Sequence, residues 1–220
     1  MKTSYAIAIP LFALTLLFTG CGNKATNEVV DNNTEENTND TAIVEEKDGS
    51  MIDVSKSFIR WEGSKKVGAT HNGTINLKSG ELDRSGSKIN GGQFVIDMDT
   101  IVNEDLTGTG AITLENHLKS ADFFNVEEYP EGMFEITEIE KVKDDNYNVT
   151  GDLTLKGITE SISFPATITE EENDVLRMKG KSVLDRTLWD VRFGSGKFFA
   201  NLGDALINDN MTVEFDIQTK

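Results

Sequence analysis

Residues His117–Phe134, HLKSADFFNVEEYPEGMF, interrupt an otherwise regular pattern of alternating residues. Leu114 and Leu118 recur at helical spacing and predict one amphipathic helical face. The dipeptide Tyr129-Pro130 ends this segment, since proline cannot continue a helix and restricts the residue before it. On both sides of the stretch, apolar residues alternate with polar ones at period two, which is typical of strands. We therefore predict an all-β chain with a short helical insertion near residues 112–122.

The alternation predicts about eight strands, mostly antiparallel and with one wet face each. The clearest runs from Tyr147 to Leu155, and Asn90-Gly91-Gly92 predicts a turn between two others. The remaining alternating stretches cover residues 67–77, 94–98, 134–136, 158–168, 176–184, 189–193 and 211–217. Strands this numerous, joined by short connections, build either a sandwich or a closed barrel, and the pattern leaves both open. A barrel of eight strands is wide enough to hold one small ligand.

The N-terminus is predicted to direct export. Lys2 precedes the apolar run Ala6–Phe18, which is too short to span a bilayer comfortably, so residues 1–20 are interpreted as a signal peptide. The only cysteine, Cys21, follows directly, and Leu17–Cys21 (LFTGC) resembles a bacterial lipobox. That resemblance implies acylation of Cys21 and anchoring by lipid chains. The alternatives are a plain secreted protein with a free thiol and an uncleaved anchor.

Residues 21–50 are predicted to form a lipidated, acidic tether. Gly22–Ser50 is rich in Asn, Thr, Asp and Glu and contains no aromatic residue. Such a segment buries too little apolar area to offset the entropy of ordering, which is typical of disorder. We therefore place the folded domain at residues 51–220. The predicted location is the bacterial cell envelope, on the periplasmic or outer-membrane side or exposed at the surface.

The acidic composition excludes one class of partner. With 21 basic and 38 acidic residues, the chain has a formal net charge of −17. This balance repels phosphate backbones, so nucleic-acid binding is not expected. It also disfavours docking on an anionic membrane through the folded surface.

The sequence contains few residues or motifs that are typical of catalysis or metal binding. His71 and His117 are the only histidines, and neither has a companion at metal-ligand spacing. The stretch Gly194–Lys197 lacks the first glycine of a phosphate loop and the hydroxyl residue after its lysine. No Gly-x-Ser-x-Gly elbow occurs, and an acylated cysteine cannot be a nucleophile. We therefore predict no catalytic residue, no metal site and no cofactor.

Two stretches carry a family likeness. Leu114–Thr137 and Tyr147–Ile168 closely resemble the paired signatures of the YceI-like family, also called polyisoprenoid-binding, lipocalin-like proteins. The likeness extends over Ile52–Thr219. It implies an extended, lipocalin-like antiparallel barrel with a long apolar cavity, and polyprenyl chains or other long-chain amphiphiles as ligands. Asp185–Gly203 departs from the commonest family pattern, so the resemblance implies the class of ligand and not its identity.

On this reading several residues become candidates for the site. We expect His71 to meet a polar headgroup, and Leu114, Leu118 and Phe123 to form a lid over one end of the barrel. The candidate cavity lining is apolar apart from that histidine: Trp61, His71, Phe94, Phe134, Leu153, Phe164 and Trp189.

The expected function is binding of an isoprenoid or acyl lipid for carriage, storage or sequestration. Burial of each methylene would contribute about 0.8 kcal/mol to the affinity. The first alternative is an envelope interaction or structural protein whose barrel is filled by its own side chains. The second is a lipid-modifying enzyme, which a titrating pair of His71 and a carboxylate inside the cavity would favour.

Overall fold

The computed structural model of the protein describes residues 48–85 and 88–220. The predicted signal peptide, Cys21 and most of the predicted tether lie outside these residues. Within them the chain forms nine β-strands, an α-helix and three short 3-10 helices. The strands are β1 (Asp48–Met51), β2 (Phe58–Ser64), β3 (Thr70–Ser85), β4 (Lys88–Asn103), β5 (Glu131–Lys143), β6 (Asn146–Leu155), β7 (Ile158–Glu170), β8 (Leu176–Asp185) and β9 (Asn210–Gln218). The helices are α1 (Thr109–Lys119) and the 3-10 turns Glu172–Asp174, Arg186–Trp189 and Gly203–Ala205.

Strands β2 to β9 close into an antiparallel barrel. Their order is β3-β2-β9-β8-β7-β6-β5-β4, and β4 pairs back onto β3 to complete the ring. Short strand β1 adds to the last residues of β3, with Asp48 opposite Arg84. The prediction of an all-β, eight-stranded, lipocalin-like barrel is therefore confirmed, and the sandwich alternative is wrong. Closure pairs every barrel strand on both edges and removes the exposed edges that an open sheet would leave.

Alternation builds the core as the sequence predicts. In β6 the side chains of Val149, Leu153 and Leu155 are buried, while Thr150 and Thr154 point outward. The outward threonines form cross-strand hydrogen bonds with hydroxyl groups of β7 at 2.8 and 2.7 Å. Burial of apolar area on the inner face therefore stabilises the folded state, while polar pairs on the outer face remain in contact with water.

The predicted turn at Asn90-Gly91-Gly92 is wrong. These residues lie inside β4, and the chain instead reverses after the pair Ser85–Lys88. Asn90 is the extra residue of a β-bulge between the pairs that join β3 to β4. A Cβ at Gly92 would come within 2.8 Å of the carbonyl oxygen of Glu81. The glycine therefore permits a close approach of two strands. The turn prediction was wrong because Asn-Gly is also common in turns.

The predicted strand over residues 189–193 is also wrong. Here the chain forms the 3-10 turn Arg186–Trp189, and Asp190 follows in the left-handed region with φ 58°. The Asp185 carboxylate accepts hydrogen bonds from the backbone N–H and the hydroxyl of Thr187, which favours a turn over an extended strand. The apolar alternation in this segment arises because Trp189 and Val191 are buried without pairing into the sheet.

Helix α1 forms where the helical insertion is predicted, but it begins three residues earlier, at Thr109. Gly108 precedes it with φ 62°, a conformation that glycine adopts without strain. After the helix, the backbone N–H groups of Asn125 and Val126 bond back to the carbonyls of Ser120 and Lys119. Among the described residues, no helix is long and apolar enough to cross a bilayer.

The two ends of the barrel differ. At one end, hairpins such as the one between β5 and β6 join the strands by short turns. At the other end, which we call the helix end, two long connections leave the barrel: residues 104–130, containing α1, and residues 186–209. These two connections pack over the barrel interior and position the site described next.

Candidate ligand-binding cavity

A narrow apolar cavity of about 170 Å³ runs along the barrel interior. All eight barrel strands contribute to its wall. On β9 the alternate residues Met211, Val213, Phe215 and Ile217 all line it. Met211 and Ile217 are six residues apart, which corresponds to about 20 Å along a strand. The cavity therefore extends over most of the barrel. A volume of this size spread over that length is a channel, unlike the wider clefts of roughly 300–1,000 Å³ that hold drug-sized ligands.

Phenylalanine rings form much of the wall in a continuous row. Phe94 stacks on Phe134 with ring centroids 6.4 Å apart, and Phe134 lies 5.6 Å from Phe164. Phe164 meets Phe215 edge-on at 5.1 Å. Such offset and edge-on contacts are the preferred geometries of aromatic pairs. The row holds the channel wall in a defined shape.

Glycines on the inward rows make room for these rings. A Cβ at Gly151 would come 2.5 Å from the ring of Phe134, and one at Gly180 would come 2.4 Å from the ring of Phe215. Aromatic rings that cover strand glycines protect the backbone and fix the register. The alternating patterns of β6 and β8 therefore include glycine at positions where the neighbouring strand supplies an aromatic side chain.

Five of the seven residues predicted to line the cavity do so, and none of them is more than 9% exposed: Trp61, Phe94, Phe134, Leu153 and Phe164. Trp61 also donates a hydrogen bond from its indole Nε1 to the carbonyl of Val102 at 3.2 Å, which fixes the ring against β4. Alternation predicts these positions because side chains on the inward face of a closed barrel all point into its interior. Their contact with a ligand stays a prediction.

His71 lies outside the cavity wall. Its Nδ1 is 2.9 Å from Oδ2 of Asp105, in the connection after β4, and both side chains are about a quarter exposed. Partial burial raises the pKa of Asp105, but hydrogen bonds from the backbone N–H of Asn72 and from His71 and Asn103 lower it to about 2. His71 shares the inward parity of Ile75, yet it stands at the mouth of β3, beyond the end of the wall. Alternation predicts the face of β3 on which a residue lies, but it does not predict how far along the barrel axis the residue stands.

Trp189 is fully buried but also lies off the cavity wall. Its Nε1 donates a hydrogen bond to the carbonyl oxygen of Leu153 at 2.9 Å. The ring therefore packs the connection of residues 186–209 against the end of β6. The predicted strand over residues 189–193 would put Trp189 in the barrel wall, whereas its side chain joins the core from the 3-10 turn that follows β8.

The predicted lid is assembled at the helix end. Leu118 and Phe123 line the cavity, whereas Leu114 packs against the core from a partly buried position outside the wall. Phe124 also lines the cavity beside them. His117 packs edge-on against Phe123 and against Phe193, with centroid distances of 5.6 and 4.4 Å. Helix α1 and the turns after it therefore cover this end.

Sequence reasoning missed the polar residues at the helix end of the cavity. Apart from the apolar lining, five polar side chains reach the wall, and most of them lie near the end of β2, the end of β8 and the start of β9: Glu62, Ser182, Arg186, Asn208 and Asn210. Arg186 and Asn208 reach the wall because residues 186–209 pack over the helix end, which no local pattern encodes. Ser182 is an exception that alternation would have found, since it shares the inward parity of Met178 and Leu184.

Arg186 is the cation of this wall and is only 2% exposed. Its guanidinium donates hydrogen bonds to the carbonyls of Asn208, Val191 and Ile207 at 3.1, 2.6 and 3.3 Å. Burial lowers the pKa of Arg186, and the nearby Asp209 carboxylate opposes that shift. Because a guanidinium carries five N–H donors, two remain without a hydrogen-bond acceptor among the described residues. The end of an otherwise apolar channel therefore presents polar hydrogen atoms.

Asp209 balances this buried charge from one side. Its Oδ1 lies 3.6 Å from Nη2 of Arg186, beyond hydrogen-bonding distance, and is buried without a hydrogen-bond partner in the described structure. Within the same residues, no group of three or more His, Cys, Asp or Glu side chains is arranged to hold a metal ion.

Comparison with known proteins agrees with this architecture. A model of the YceI-like domain family matches residues 51–219. A UPF0312 protein of Pseudomonas putida F1 is 30% identical over 118 residues, which cover 54% of this chain and 59% of the relative. A UPF0312 protein of Photorhabdus laumondii is 45% identical over 60 residues, covering 27% of this chain and 31% of the relative. The matches thus span between about a third and three fifths of these relatives.

Two solved structures share the fold at low sequence identity. BcnA of Burkholderia cenocepacia superposes with a TM-score of 0.63 at 20% identity, over 77% of this chain and 99% of its own. A polyisoprenoid-binding domain of Saccharophagus degradans superposes with a TM-score of 0.60 at 15% identity, over 78% and 97% of the two chains. Because the family model covers nearly all of the barrel, this chain belongs to the YceI-like domain family.

Proposed function

We propose that this protein is an exported lipoprotein whose barrel binds a long-chain apolar ligand, a polyisoprenoid or acyl lipid, for carriage, storage or sequestration. The observation that carries the proposal is the continuous apolar channel, about 20 Å long, bounded by all eight strands. Membership of the YceI-like family supports it, as does the shared fold with a polyisoprenoid-binding domain. Acylation of Cys21 would anchor the protein in the cell envelope.

The shape of the channel favours a linear, flexible ligand. A cavity of this volume that extends along the barrel fits a chain lying parallel to the barrel axis. Met98, Met178 and Met211 line it, and unbranched thioether side chains change conformation at little cost. These methionines allow the channel to widen for the methyl branches of an isoprenoid.

The polar end of the channel orients such a ligand. The chain lies among the phenylalanine rings, where each buried methylene contributes about 0.8 kcal/mol. The headgroup lies at the helix end, where Arg186 has N–H donors without acceptors. Ser182 and Asn210, which line the cavity and form no side-chain hydrogen bond to a described residue, supply further polar contacts. This placement replaces His71, which lies outside the wall.

Binding without chemistry fits the arrangement better than catalysis. The pair formed by His71 and Asp105 lies outside the cavity wall, so it does not support the alternative of a lipid-modifying enzyme. The remaining alternative is an envelope interaction protein whose barrel interior is filled by side chains. That alternative predicts an interior without a continuous apolar cavity and a protein that carries no lipid, so a search for bound lipid separates the two functions.

The test is to purify the protein from its native membrane, extract it with organic solvent and identify the lipid by mass spectrometry. Ser182→Phe places a ring in the channel, and Val183→Phe places the same ring on the outer surface of the same strand, where Val183 is 61% exposed. We expect lipid with the wild type and the Val183 variant and a loss of at least tenfold with the Ser182 variant. Thermal unfolding verifies that both variants fold.

Two results would contradict the proposal. One is recovery of no lipid from either native or recombinant protein together with no uptake of added polyprenol. The other is equal lipid content in the Ser182 and Val183 variants, which would place the ligand outside the channel. The anchor is tested separately by mass spectrometry of the N-terminal peptide, which should carry acyl chains on Cys21 and lose them in Cys21→Ala.

A further inference from the structure

The helix end of the barrel carries exposed apolar side chains. Val67, Phe193, Phe198 and Phe199 are 63%, 41%, 43% and 50% exposed, and we call these four residues the apolar rim. Val67 belongs to the connection between β2 and β3, and the phenylalanines belong to the connection between β8 and β9. Exposed apolar groups that gather at one place mark contact with another molecule or a membrane, whereas single ones need no explanation.

Contacts join the rim to the cavity wall. The ring of Phe193 lies 6.5 Å from that of Phe123, which lines the cavity. Ile207, another wall residue, donates its backbone N–H to the carbonyl of Gly194 at 2.8 Å and forms a β-bridge with Lys65. The rim therefore lies at the end of the channel at which Leu118 and Phe123 form the lid.

The geometry of the rim phenylalanines is held by the fold. The backbone N–H groups of Phe198 and Phe199 both bond to the carbonyl of Ser195, at 3.2 and 3.1 Å, and Ser195 is completely buried. Arg192 lies over the ring of Phe198 at 4.9 Å. Since an anchored turn presents these rings to solvent, their exposure is a fixed feature of the surface.

The charges around the rim suit a lipid headgroup layer. Lys65 and Lys66 directly precede Val67 and form no ion pair with any described residue. Arg192 and Lys197 are paired with Asp190 and Asp185, so the phenylalanine side of the rim is locally close to neutral. Lysines beside an exposed apolar side chain extend their ammonium groups to lipid phosphates while the apolar group enters the acyl region. The rim therefore escapes the repulsion that the net negative charge imposes on the chain as a whole.

The place at which the described chain begins is compatible with this orientation. The described chain begins at Asp48, which pairs with Arg84 at the end of the barrel opposite the rim. The 26 residues between Cys21 and Asp48 span at most about 90 Å, whereas the 16 residues of β3 span about 50 Å. The segment between an acylated Cys21 and Asp48 is thus long enough for the rim to face the membrane.

We propose that the apolar rim docks on the surface of a lipid bilayer and that ligand passes between the bilayer and the cavity through this end. The inference rests on the proposed function, because it assigns the route by which a lipid enters the channel. Long-chain lipids reside in bilayers, so direct contact avoids exposing the chain to water. In the docked state Val67, Phe198 and Phe199 enter the interface, and movement of the lid residues opens the channel.

The test uses the chain from Gly22 to Lys220, in which no acyl group can account for membrane binding. The rim variant combines Val67→Ser, Phe198→Ser and Phe199→Ser. The control variant combines Met51→Ser, Phe58→Ser and Val142→Ser, three exposed apolar residues at the opposite end. Flotation with vesicles of phosphatidylcholine, with and without phosphatidylglycerol, measures binding. We expect the rim variant to lose at least tenfold in partitioning and the control variant to change by less than twofold.

A second readout locates the contact. Trp61 and Trp189 are buried, so a tryptophan introduced by Phe198→Trp reports selectively on the rim. Its fluorescence should be quenched by phospholipids brominated on their acyl chains. The proposal is overturned if the wild type floats with neither of the two vesicle compositions. It is overturned as well if the control variant loses binding as strongly as the rim variant. It is also overturned if gel filtration shows that the rim instead joins two copies of the chain.

Delivery of the ligand separates this proposal from the proposed function. Polyprenol added from ethanol should fill the channel of the rim variant to the same extent as that of the wild type, whereas transfer from vesicles should fall at least tenfold. Equal transfer from vesicles by both proteins would contradict docking at the rim. Failure of uptake from ethanol by the wild type would contradict lipid binding itself, whatever the vesicle result.

Discussion

The guanidinium of Arg186 lies 5.5 Å from the centre of the Phe123 ring. This contact joins the two long connections at the helix end, because Phe123 follows α1 and Arg186 begins the segment after β8. A cation over an aromatic face is attracted by the ring quadrupole, more strongly where water is excluded. Both residues line the cavity. One interaction therefore holds the lid in place and puts a polar group at the end of the channel.

Replacement of Arg186 by methionine should destabilise the fold by about 3 kcal/mol, since it leaves buried carbonyls without donors and Asp209 without its cation. Urea unfolding measures the change. Arg192→Met is the matched control, because Arg192 is exposed and its ion pair with Asp190 contributes about 0–1 kcal/mol. A change below about 1 kcal/mol for Arg186→Met would show that the buried hydrogen bonds contribute little.

Gly151→Ala should cost about 1–3 kcal/mol, because the added methyl group overlaps the ring of Phe134 and the carbonyl oxygen of Glu135. Gly63→Ala should be close to neutral, since no atom lies within 4 Å of the position its Cβ would take. Thermal and urea unfolding of the two variants test the difference. Equal stability would mean that the Phe134 ring moves aside freely and does not fix the shape of the channel.

Leu118→Ala should cost about 2–5 kcal/mol in stability, as expected for truncation of a buried leucine. The same change opens the lid, so bound lipid should dissociate at least several-fold faster in a stopped-flow transfer assay. Ile112→Ala on the same helix is the control, because Ile112 is 57% exposed. An unchanged dissociation rate in the Leu118 variant would assign ligand release to another part of the barrel.

Asp105→Asn should reduce stability by about 1 kcal/mol near neutral pH, as is typical for loss of hydrogen bonds to a charged group at a partly exposed site. The pKa of Asp105 is about 2 in the folded protein and 3.8 for an unperturbed aspartate. A lowered pKa stabilises the fold above the unfolded value, and this contribution disappears as the pH falls from about 4 to about 2. The difference between wild type and variant should therefore shrink over that range.

Urea unfolding at several pH values measures this dependence. Asp122→Asn serves as the control, because Asp122 is exposed and forms no hydrogen bond or ion pair with a described residue. A difference that persists unchanged at pH 2 would show that Asp105 acts through the shape of its side chain and not through its charge.

Local sequence patterns predict the class of the fold and five of the residues in the cavity wall. Alternation at period two assigns Phe94, Leu153 and Phe164 to one face of their strands, and that face has to be buried. The break at Tyr129-Pro130 and the helical spacing of Leu114 and Leu118 mark the insertion correctly. These signals are local, because the direction of a side chain depends only on its position in a helix or strand.

The closure of the sheet, the depth of each residue along the barrel axis and the polar end of the channel depend on tertiary contacts. His71 has the same parity as the wall residues but stands beyond the wall, where it meets Asp105. Trp189 and Arg186 occupy their places because residues 186–209 fold over the helix end, and their hydrogen bonds go to carbonyls distant in sequence. A linear pattern specifies the face on which a side chain lies. The partner it meets depends on which segments the closed barrel brings together.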